Sequence, residues 1–249
     1  RCCGMAMNEW PGKLLGQKSY GSIPHLPGSR IGPGDHHCHE GQMIIATEKC
    51  RDRHDRVIVQ EKLDGSCMAV AKIANRIYAL GRSGYSAQSS QYEQHQLFAH
   101  WVRANEPRFA DLLNDGERLC GEWLAMAHGT KYRLPHEPFV VFDLMTGHDR
   151  IPFDSLRERI AARFVMPRLI SDNGPRTIEW VGERLEPSGH GALDPVEGAV
   201  WRVERRGAVD FLCKWVRPDK IDGCYLPEKN RQEAIWHWRP RQGSRWKPG

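Results

Sequence analysis

Residues 56–73 read RVIVQEKLDGSCMAVAKI, two apolar stretches joined by a short polar turn. The β-branched residues of Arg56–Glu61 and the apolar pattern of Met68–Ile73 are typical of two β-strands. Lys62 follows the first strand directly, so we expect a buried lysine whose pKa is lowered and whose amine is nucleophilic. Gly65 would let a bulky ligand approach the backbone closely. Taken alone, the motif also fits an ordinary surface turn.

Strand and helix patterns continue after this stretch. Asn75 predicts a hairpin turn into a strand at Arg76–Leu80. Apolar residues at helical spacing predict a helix over residues 89–104, and a second helix begins near Pro107 and ends before Gly116. The remaining predictions are strands at 118–125, 138–144, 177–181, 196–203 and 208–216, and a helix at 154–164 that opens with the capping-box pattern of Ser155 and Glu158.

The balance of these elements indicates the fold class. Strands outnumber helices and are joined mostly by hairpins, which favours an α+β fold of antiparallel sheets flanked by helices. Residues 10–42 are rich in Gly, Pro and His and are predicted to be dominated by loops. The glycine-rich motifs of dinucleotide-binding and P-loop proteins are absent from the sequence, which argues against both of those classes.

Composition narrows the type of protein. The 249 residues include 27% charged residues and nine Trp, which argues for an ordered domain rather than a disordered chain. No apolar run approaches the roughly 18 residues of a membrane-spanning helix, and the start of the sequence does not resemble a secretory signal. Eight cysteines without a C-x-x-C pair predict reduced thiols and a cytoplasmic protein.

The charge is concentrated at the end of the sequence. Residues 226–249 contain six Lys or Arg and two Glu, a net charge of +4, so +1 of the total +5 remains for residues 1–225. We therefore expect a catalytic domain at 1–225 and a basic, Trp-containing tail at 226–249. The tail could follow a phosphate backbone and stack bases on its Trp residues. It could equally be a solvated extension whose Trp residues pack on the body.

Further residues whose side chains could bind a ligand or take part in catalysis follow Lys62 in a fixed order. Each lies in or beside a predicted strand, and they are Arg82, Glu122, Phe142, Glu197 and Lys214. This ordered set resembles the covalent nucleotidyltransferase superfamily, and most closely its ATP-dependent RNA ligases. The segment SYGSIPHLP at 19–27 adds to the resemblance, which covers roughly residues 18–220. Seen alone, Glu122 and Phe142 would be ordinary strand residues.

The resemblance implies a fold and a cofactor. The fold would be a nucleotidyltransferase (ATP-grasp-like) core with a central nucleotide cleft, and the cofactors would be ATP with Mg²⁺ or Mn²⁺. Carried over by position, Lys62 would attack the α-phosphate of ATP to form a lysyl-AMP, and Lys214 would contact that phosphate. Arg82 would lie near the ribose and phosphate. Glu197 would help to hold the metal.

The resemblance also implies how the nucleoside would bind. Glu122 would accept hydrogen bonds from the ribose hydroxyls, and Phe142 would stack on the adenine. Glu61, immediately before the nucleophile, would help to read the adenine. Asp64 and Gly65 complete the nucleotide-binding turn.

The sequence departs from the family pattern at its last motif. Leu212 occupies a position that is often lysine, so a phosphate contact is absent there or is supplied by Arg217 or Lys220. The sequence also ends soon after this motif, which leaves no room for the OB-fold domain of DNA ligases and capping enzymes. The OB fold is therefore expected to be absent, and a minimal RNA-ligase core is favoured.

Histidines near the start of the chain allow two interpretations. His25 could bind a terminal phosphate of the nucleic acid, or be a hydrogen-bonded structural residue. The run Asp35-His36-His37-Cys38-His39-Glu40 resembles a metal site. Adjacent residues rarely converge on one ion, so a polar loop is the simpler interpretation. Arg217 is a further candidate for contact with nucleic acid.

These inferences predict an ATP-dependent RNA ligase that joins a 5′-phosphate end to a 3′-hydroxyl end. Alternatives with the same core are a ligase that joins DNA, or RNA to DNA in a duplex, and a capping-type enzyme that uses GTP. A third alternative is a non-catalytic nucleic-acid-binding protein that acts through the basic tail. Which RNA is joined, and for what biological role, is not apparent in the sequence.

Overall fold

The computed structural model describes residues 12–240, and within them it contains nine strands and six helices. The strands are β1 Asp55–Lys62, β2 Ser66–Ile73, β3 Arg76–Gly81, β4 Glu117–Trp123, β5 Phe139–Thr146, β6 Asp149–Arg150, β7 Leu169–Ser171, β8 Gly198–Arg205 and β9 Ala208–Val216. The helices are α1 Glu40–Thr47, α2 Glu93–Ala104, α3 Glu106–Leu112, α4 Phe153–Ile160, α5 Ile178–Gly182 and α6 Pro227–Asn230.

The strands form two antiparallel sheets. One has four strands in the order β7-β1-β8-β9, and the other has five in the order β3-β2-β4-β5-β6. The consecutive strands β1 and β2 belong to different sheets, so residues 63–65 carry the chain from one sheet to the other. The predicted α+β fold with antiparallel sheets is confirmed.

Each sheet packs against its own apolar core. Helices α2, α3 and α4 cover the five-stranded sheet through buried side chains that include Phe98, Trp101 and Phe109. The four-stranded sheet packs against α1 and α5, where Ala46 and Val181 are fully buried. Burial of an aromatic or large aliphatic side chain contributes about 1.5–3 kcal/mol. The two largest apolar clusters therefore belong to different sheets, and a cleft can form where the sheets meet.

A buried charge cluster joins the two sheets. The guanidinium of Arg202 on β8 donates to the carboxylate of Asp143 on β5, and it also donates to the carbonyl of Phe142 over 3.0 Å. Asp143 accepts further hydrogen bonds from the hydroxyl of Tyr20 over 2.6 Å and from Arg150 over 3.1 Å. A buried carboxylate with this many donors is compensated for lost hydration.

Two predictions of secondary structure are wrong. Residues 177–181 are not a strand, because Thr177 accepts a hydrogen bond from the backbone of Trp180 and so caps the short helix α5. The helix predicted at 154–164 occupies Phe153–Ile160, with Pro152 rather than Ser155 at its N-cap and no side-chain capping bond. Helix α1 and strand β7 were not expected at all.

The described part of the C-terminal segment packs on the body of the protein. Trp236 and Trp238 lie against the core beneath the five-stranded sheet, and Trp238 meets Trp123 edge-on at 5.7 Å. His237 donates its backbone N–H to the carbonyl of Ala125 over 2.8 Å. These two Trp rings therefore pack on the body of the protein, as the second interpretation of the tail predicts. Trp246 lies outside the described residues. The domain boundary at residue 225 stays a prediction.

Two smaller observations complete the fold. The six cysteines within residues 12–240 are all unpaired thiols. Over the same residues, each helix is too short or too polar to cross a bilayer.

Candidate active site

The six residues of the ordered motif line one cavity. Its volume is about 390 Å³, and it lies where residues 63–65 pass from one sheet to the other. Strands of both sheets contribute: Lys62 and Lys214 come from the four-stranded sheet, and Glu122 and Phe142 from the five-stranded one. Glu197 and Arg82 lie beside a strand end on each side. The fold thus brings together residues separated by up to 152 positions, from Lys62 to Lys214.

Lys62 forms an ion pair inside this cleft. Its Nζ donates to Oε2 of Glu197 over 2.6 Å, and its side chain is 21% exposed. Burial works against the charge, but the carboxylates of Glu197 and Glu122 outweigh it and raise the pKa of Lys62 above its ordinary value. The expectation of a lowered pKa is therefore wrong in the absence of a bound nucleotide, because the attraction of the carboxylates for the ammonium exceeds the effect of burial.

The two glutamates of the cleft are themselves perturbed. Burial raises the pKa of Glu122 to about 7, with Lys62 opposing the shift and Glu197 adding to it. Burial likewise raises the pKa of Glu197 to about 7, against the attraction of Lys62. Carboxyl groups with a pKa near neutrality can exchange protons at physiological pH, which is typical of reactive sites.

Gly65 is required by the protein itself rather than by a ligand. Its N–H donates to Oε1 of Glu122 over 2.9 Å. A Cβ on residue 65 would come within 2.5 Å of the carbonyl oxygen of Trp123 and 2.9 Å of the side chain of Leu124. The absent side chain therefore allows the turn to approach β4, and this contact also orients Glu122 toward the cleft.

Lys214 is presented to the cleft by the alternation of β9. Leu212 and Lys214 line the cavity, while Phe211, Cys213 and Trp215 face the apolar core of the four-stranded sheet. This is the arrangement predicted from the period of a strand. Burial and the nearby charge of Lys62 lower the pKa of Lys214.

Arg82 and Phe142 lie on the opposite wall. The guanidinium of Arg82 donates to the hydroxyl of Ser22 over 3.2 Å, and the side chain borders the cavity. The ring of Phe142 is steadied by an edge-on contact with Tyr20 at 5.0 Å. One wall therefore offers a cation and an aromatic ring, as an adenine nucleotide would require.

The cations proposed to replace the missing lysine are already paired. Lys220 donates to Asp64 over 2.8 Å and to the carbonyl of Gly129 over 2.7 Å. Arg217 holds Asp219 through two hydrogen bonds of 3.1 and 2.9 Å. Leu212 faces the cleft, so no cation replaces the missing lysine from that strand position. The ion pair of Asp64 fixes the turn that follows Lys62.

Glu61 points away from the amine of Lys62, because neighbouring residues of a strand face opposite sides. Its carboxylate accepts hydrogen bonds from the hydroxyl of Ser188 over 2.5 Å, from the N–H of Gly189 over 2.9 Å and from Arg168 over 3.1 Å. The carboxylate is therefore committed to the protein, although the residue borders the cavity. Its role in reading adenine stays a prediction.

His25 is 2% exposed and hydrogen-bonded within the protein. Nδ1 lies 2.6 Å from the hydroxyl of Ser29, and Nε2 lies 3.3 Å from the carboxylate of Asp35. Burial and Lys214 lower its pKa to about 4, so its ring is neutral near pH 7. This geometry fits a structural histidine. Nearby, His39 is the N-cap residue of α1, and within residues 12–240 no group of three or more His, Cys, Asp or Glu could hold a metal.

Sequence reasoning missed the contribution of residues 223–229, at the start of the C-terminal segment and just before it. Gly223, Leu226 and Lys229 line the same cavity as Lys62. The ammonium of Lys229 donates to the carbonyl of Asp222 over 2.7 Å. A basic residue near the end of the chain carries no local pattern that relates it to a cleft more than 160 residues earlier.

A family comparison agrees with this geometry. The family model for RNA ligases matches residues 55–216, which is well over half of the chain. The chain belongs to the RNA ligase family. A comparison of this RNA ligase family member with curated proteins finds no match.

A comparison with solved structures finds similar chains, including one that shares the fold of this RNA ligase family member with a TM-score above 0.5. A Naegleria gruberi RNA ligase with PPi has a TM-score of 0.52 at 19% identity, over 72% of this chain and 52% of that one. An archaeal ATP-dependent RNA ligase has a TM-score of 0.46 at 16% identity, over 79% and 48%. The chain thus spans about half the length of the solved structures that it matches.

The cleft has the groups that a nucleotide and a divalent cation need. Mg²⁺ prefers oxygen ligands and keeps several waters, so one or two carboxylates suffice beside the phosphates. Glu197 and Glu122 supply such oxygens next to Lys62. Lys214 and Arg82 supply positive charge for phosphates. The donor set therefore fits ATP with a divalent metal.

Proposed function

We propose that this protein is an ATP-dependent RNA ligase that becomes adenylylated on Lys62. The observation that carries the proposal is the placement of the Lys62 amine beside the carboxylates of Glu197 and Glu122, with Arg82 and Lys214 among the further cations that line the same cavity. Charge grows on phosphoryl oxygens during displacement, so cations around the reacting phosphate accelerate it. Neighbouring solved structures are described as complexes with ATP and Mn, or AMP and Mn, which supports ATP and a divalent metal here.

The first step joins AMP to the protein. The lone pair of Lys62 Nζ forms a bond to the α-phosphorus while the bond from that phosphorus to the bridging oxygen of the β-phosphate breaks, and pyrophosphate leaves. The amine must first lose a proton, and Glu197 is the nearest acceptor at 2.6 Å. When bound, Mg²⁺ or Mn²⁺ neutralises the developing charge on the phosphates.

The later steps join two RNA ends. An oxygen of the 5′-phosphate attacks the phosphorus of the lysyl-AMP, which releases Lys62 and leaves AMP on the RNA through a pyrophosphate linkage. The 3′-hydroxyl of the other end then attacks the 5′-phosphate, and AMP departs. Lys214 and Arg82 are placed to bind the phosphate oxygens in these steps.

Labelling with ATP tests the assignment. The protein is incubated with Mg²⁺ and ATP labelled at its α-phosphate, then denatured and examined for bound label. We expect one AMP per chain by intact-mass measurement, and no label on Lys62→Ala. The exposed Lys49→Ala is the matched control and should label normally. Label that persists on Lys62→Ala would refute the nucleophile.

Substrate comparisons separate the alternatives. GTP in place of ATP tests the capping-type reaction, and nicked or single-stranded RNA and DNA ends test the acceptor. Sealing of RNA ends with ATP supports the proposal. Nucleic-acid binding without any lysyl-AMP would instead indicate a non-catalytic protein.

A further inference from the structure

A second cavity opens beside the catalytic cleft. Its volume is about 850 Å³, and it shares Cys67 and Arg82 with the cleft. Its walls are formed by the N-terminal segment around Lys18 and by residues 81–95, which connect β3 to the first turn of α2. The size lies within the range of ligand-binding pockets. A ligand held here would lie next to the phosphates bound at Arg82.

Residues 83–92 give this cavity an unusual surface. Six of these ten residues carry a hydroxyl group, and residues 81–92 include no acid. Hydroxyl groups both donate and accept hydrogen bonds, so they suit sugar hydroxyls and base edges. Three of these hydroxyl groups already form hydrogen bonds with the local backbone or with His95, and they belong to Ser86, Ser89 and Ser90.

Two exposed aromatic rings line the cavity. Tyr85 is 49% exposed and Tyr92 is 41% exposed. Within residues 12–240, every other Phe, Tyr or Trp residue is buried or half-buried. The ring of Tyr92 is held edge-on by His95 at 5.3 Å. Exposed and oriented rings beside a phosphate-binding cleft are suited to stacking unpaired bases.

The rim that carries Tyr85 is held rigidly against the N-terminal segment. The carbonyl of Arg82 accepts hydrogen bonds from the N–H groups of Ser19 and Tyr20 over 3.0 and 3.3 Å. Gly84 has a φ of +93°, and a Cβ there would collide with the carbonyl of Gln17. A rim fixed in this way loses little conformational freedom when a ligand binds.

The charges of the cavity suit a terminal phosphate. Lys18 and Arg82 provide two cations, and Asp35 is the one acid among the lining residues. The carboxylate of Asp35 is already engaged, 3.7 Å from the ammonium of Lys214 in the catalytic cleft and 3.3 Å from the buried ring of His25. His95 adds no charge near pH 7, because burial and the charge of His128 lower its pKa to about 4. Two cations are enough to bind the terminal phosphate of a nucleic acid, but they are too few to bind a long phosphate backbone.

We propose that this cavity binds the 5′-phosphorylated terminal nucleotides of a single-stranded RNA, with bases stacked on Tyr85 and Tyr92. The terminal phosphate lies between Lys18 and Arg82, beside the AMP that it will receive. This inference rests on the proposed function, because it names the binding site of the RNA end that receives AMP from Lys62.

Binding of a labelled oligonucleotide tests the proposal. A short single-stranded RNA with a 5′-phosphate and a 3′ fluorophore is titrated with the protein and followed by anisotropy. We expect the double variant Tyr85→Ala, Tyr92→Ala to bind about tenfold more weakly or worse. The pair Tyr85→Phe, Tyr92→Phe keeps both rings and should stay within about twofold of the wild type. Equal affinity of the alanine variant and the wild type would overturn the proposal.

Further binding measurements test the chemical identity of the ligand. Lys18→Ala should reduce the preference for a 5′-phosphate over a 5′-hydroxyl, and an unchanged preference would contradict the phosphate assignment. DNA of the same sequence that binds as tightly as RNA would contradict the RNA assignment. Thermal unfolding of each variant checks the fold. Labelling of the wild type with ATP, measured in parallel, tests the proposed function separately from RNA binding.

Discussion

The protonation of Lys62 depends on the side chains of Glu122, on β4 of the five-stranded sheet, and of Glu197, immediately before β8 of the four-stranded sheet. As they stand, these carboxylates favour the ammonium form, so the amine must be released before it can attack a phosphate. Lys214 has the opposite perturbation, because burial and the charge of Lys62 lower its pKa. The cleft thus holds two lysines whose environments push their pKa values apart, and the one beside the carboxylates is the proposed nucleophile.

Replacement of Glu197 by Gln should shift the pH dependence of adenylylation. Burial opposes the charge of Lys62 and Glu197 is the strongest group that favours it, so the pKa of Lys62 should fall in Glu197→Gln. In the wild type the initial rate should rise through pH 7–10, because the pKa lies above its ordinary value of 10.5. In the variant the rate should rise at a pH about one unit lower than in the wild type, although the maximum rate is smaller. Superimposable profiles would contradict this account of Lys62.

Glu122 should reduce stability above neutral pH. Its folded-state pKa of about 7 exceeds the ordinary 4.5, so the folded protein holds a proton that the unfolded chain has released. Stability from this group is therefore present below pH 4.5 and lost as the pH rises through 7. Glu122→Gln should raise the free energy of unfolding by about 1–3 kcal/mol at pH 8 and leave it nearly unchanged at pH 4.

Denaturant titrations at the two pH values measure this effect. Exposed Glu48→Gln serves as the control and should show no such difference. The amide of Glu122→Gln can still accept the hydrogen bond from Gly65, so packing is preserved. Equal stability of the variant and the wild type at pH 8 would contradict the raised pKa.

At the scale of secondary structure, the antiparallel pair of β8 and β9 aligns Glu197 with the cleft. Gly198 begins β8 and lies opposite Val216, and its missing side chain lets the backbone of Trp215 come close. The β1 strand pairs with the other edge of β8, where Lys62 lies opposite Gly198. The ion pair between Lys62 and Glu197 therefore follows directly from the register of neighbouring strands.

Gly198→Ala should disturb this register. The new Cβ would collide with the carbonyl of Trp215, a backbone atom that cannot move independently. We expect a loss of about 1–3 kcal/mol in stability and at least about a tenfold loss of AMP labelling, because Glu197 is displaced. Gly41→Ala in α1 meets nothing within 4 Å and is the matched control. It should be neutral or stabilising by up to about 1 kcal/mol. Normal labelling by Gly198→Ala would count against the role of this close approach.

At the scale of the whole molecule, the C-terminal segment joins parts of the protein that are distant in sequence. Trp236 and Trp238 pack beneath the five-stranded sheet, while Lys229 and Leu226 reach the catalytic cleft. His237 accepts a hydrogen bond from the backbone of Tyr132 over 3.1 Å. The described part of this segment is therefore integrated with the fold. The RNA-binding role of the tail stays a prediction, because part of the tail lies outside the described residues.

Trp238→Ala should destabilise the whole protein. The ring packs edge-on against Trp123 and is half-buried, so its removal should cost about 2–3 kcal/mol, somewhat less than a fully buried Trp. Thermal unfolding should shift down by about 5–10 °C. Trp238→Phe keeps an aromatic ring and should lose less than half as much. An unchanged midpoint for Trp238→Ala would mean that the segment is not part of the cooperative fold.

Local patterns predicted much of the fold and of the candidate site. The hairpin at Asn75 and the turn at Gly207 were readable because both positions favour a positive φ, and Asn75 has φ +59° and Gly207 φ +78°. The site residues Lys62, Glu122, Glu197 and the others of the ordered motif were predicted from the resemblance of their order to that of covalent nucleotidyltransferases, and strand alternation supported only the orientation of Lys214. The helix at 178–182 was missed because a short apolar run suits either a strand or a helical turn.

The sequence by itself determined the α+β class and most of the strands, since these depend on the period and turn chemistry of neighbouring residues. The six motif residues of the cleft were predicted from the order in which they follow one another along the chain, through the family resemblance. Only the tertiary structure decided that β1 and β2 join different sheets, and that Glu197 rather than a cation lies 2.6 Å from Lys62. Strand partners and electrostatic interactions depend on separation in space, and Lys62 and Glu197 are 135 residues apart in the chain. A local pattern cannot contain that distance, so the charge of the proposed nucleophile is a property of the folded molecule.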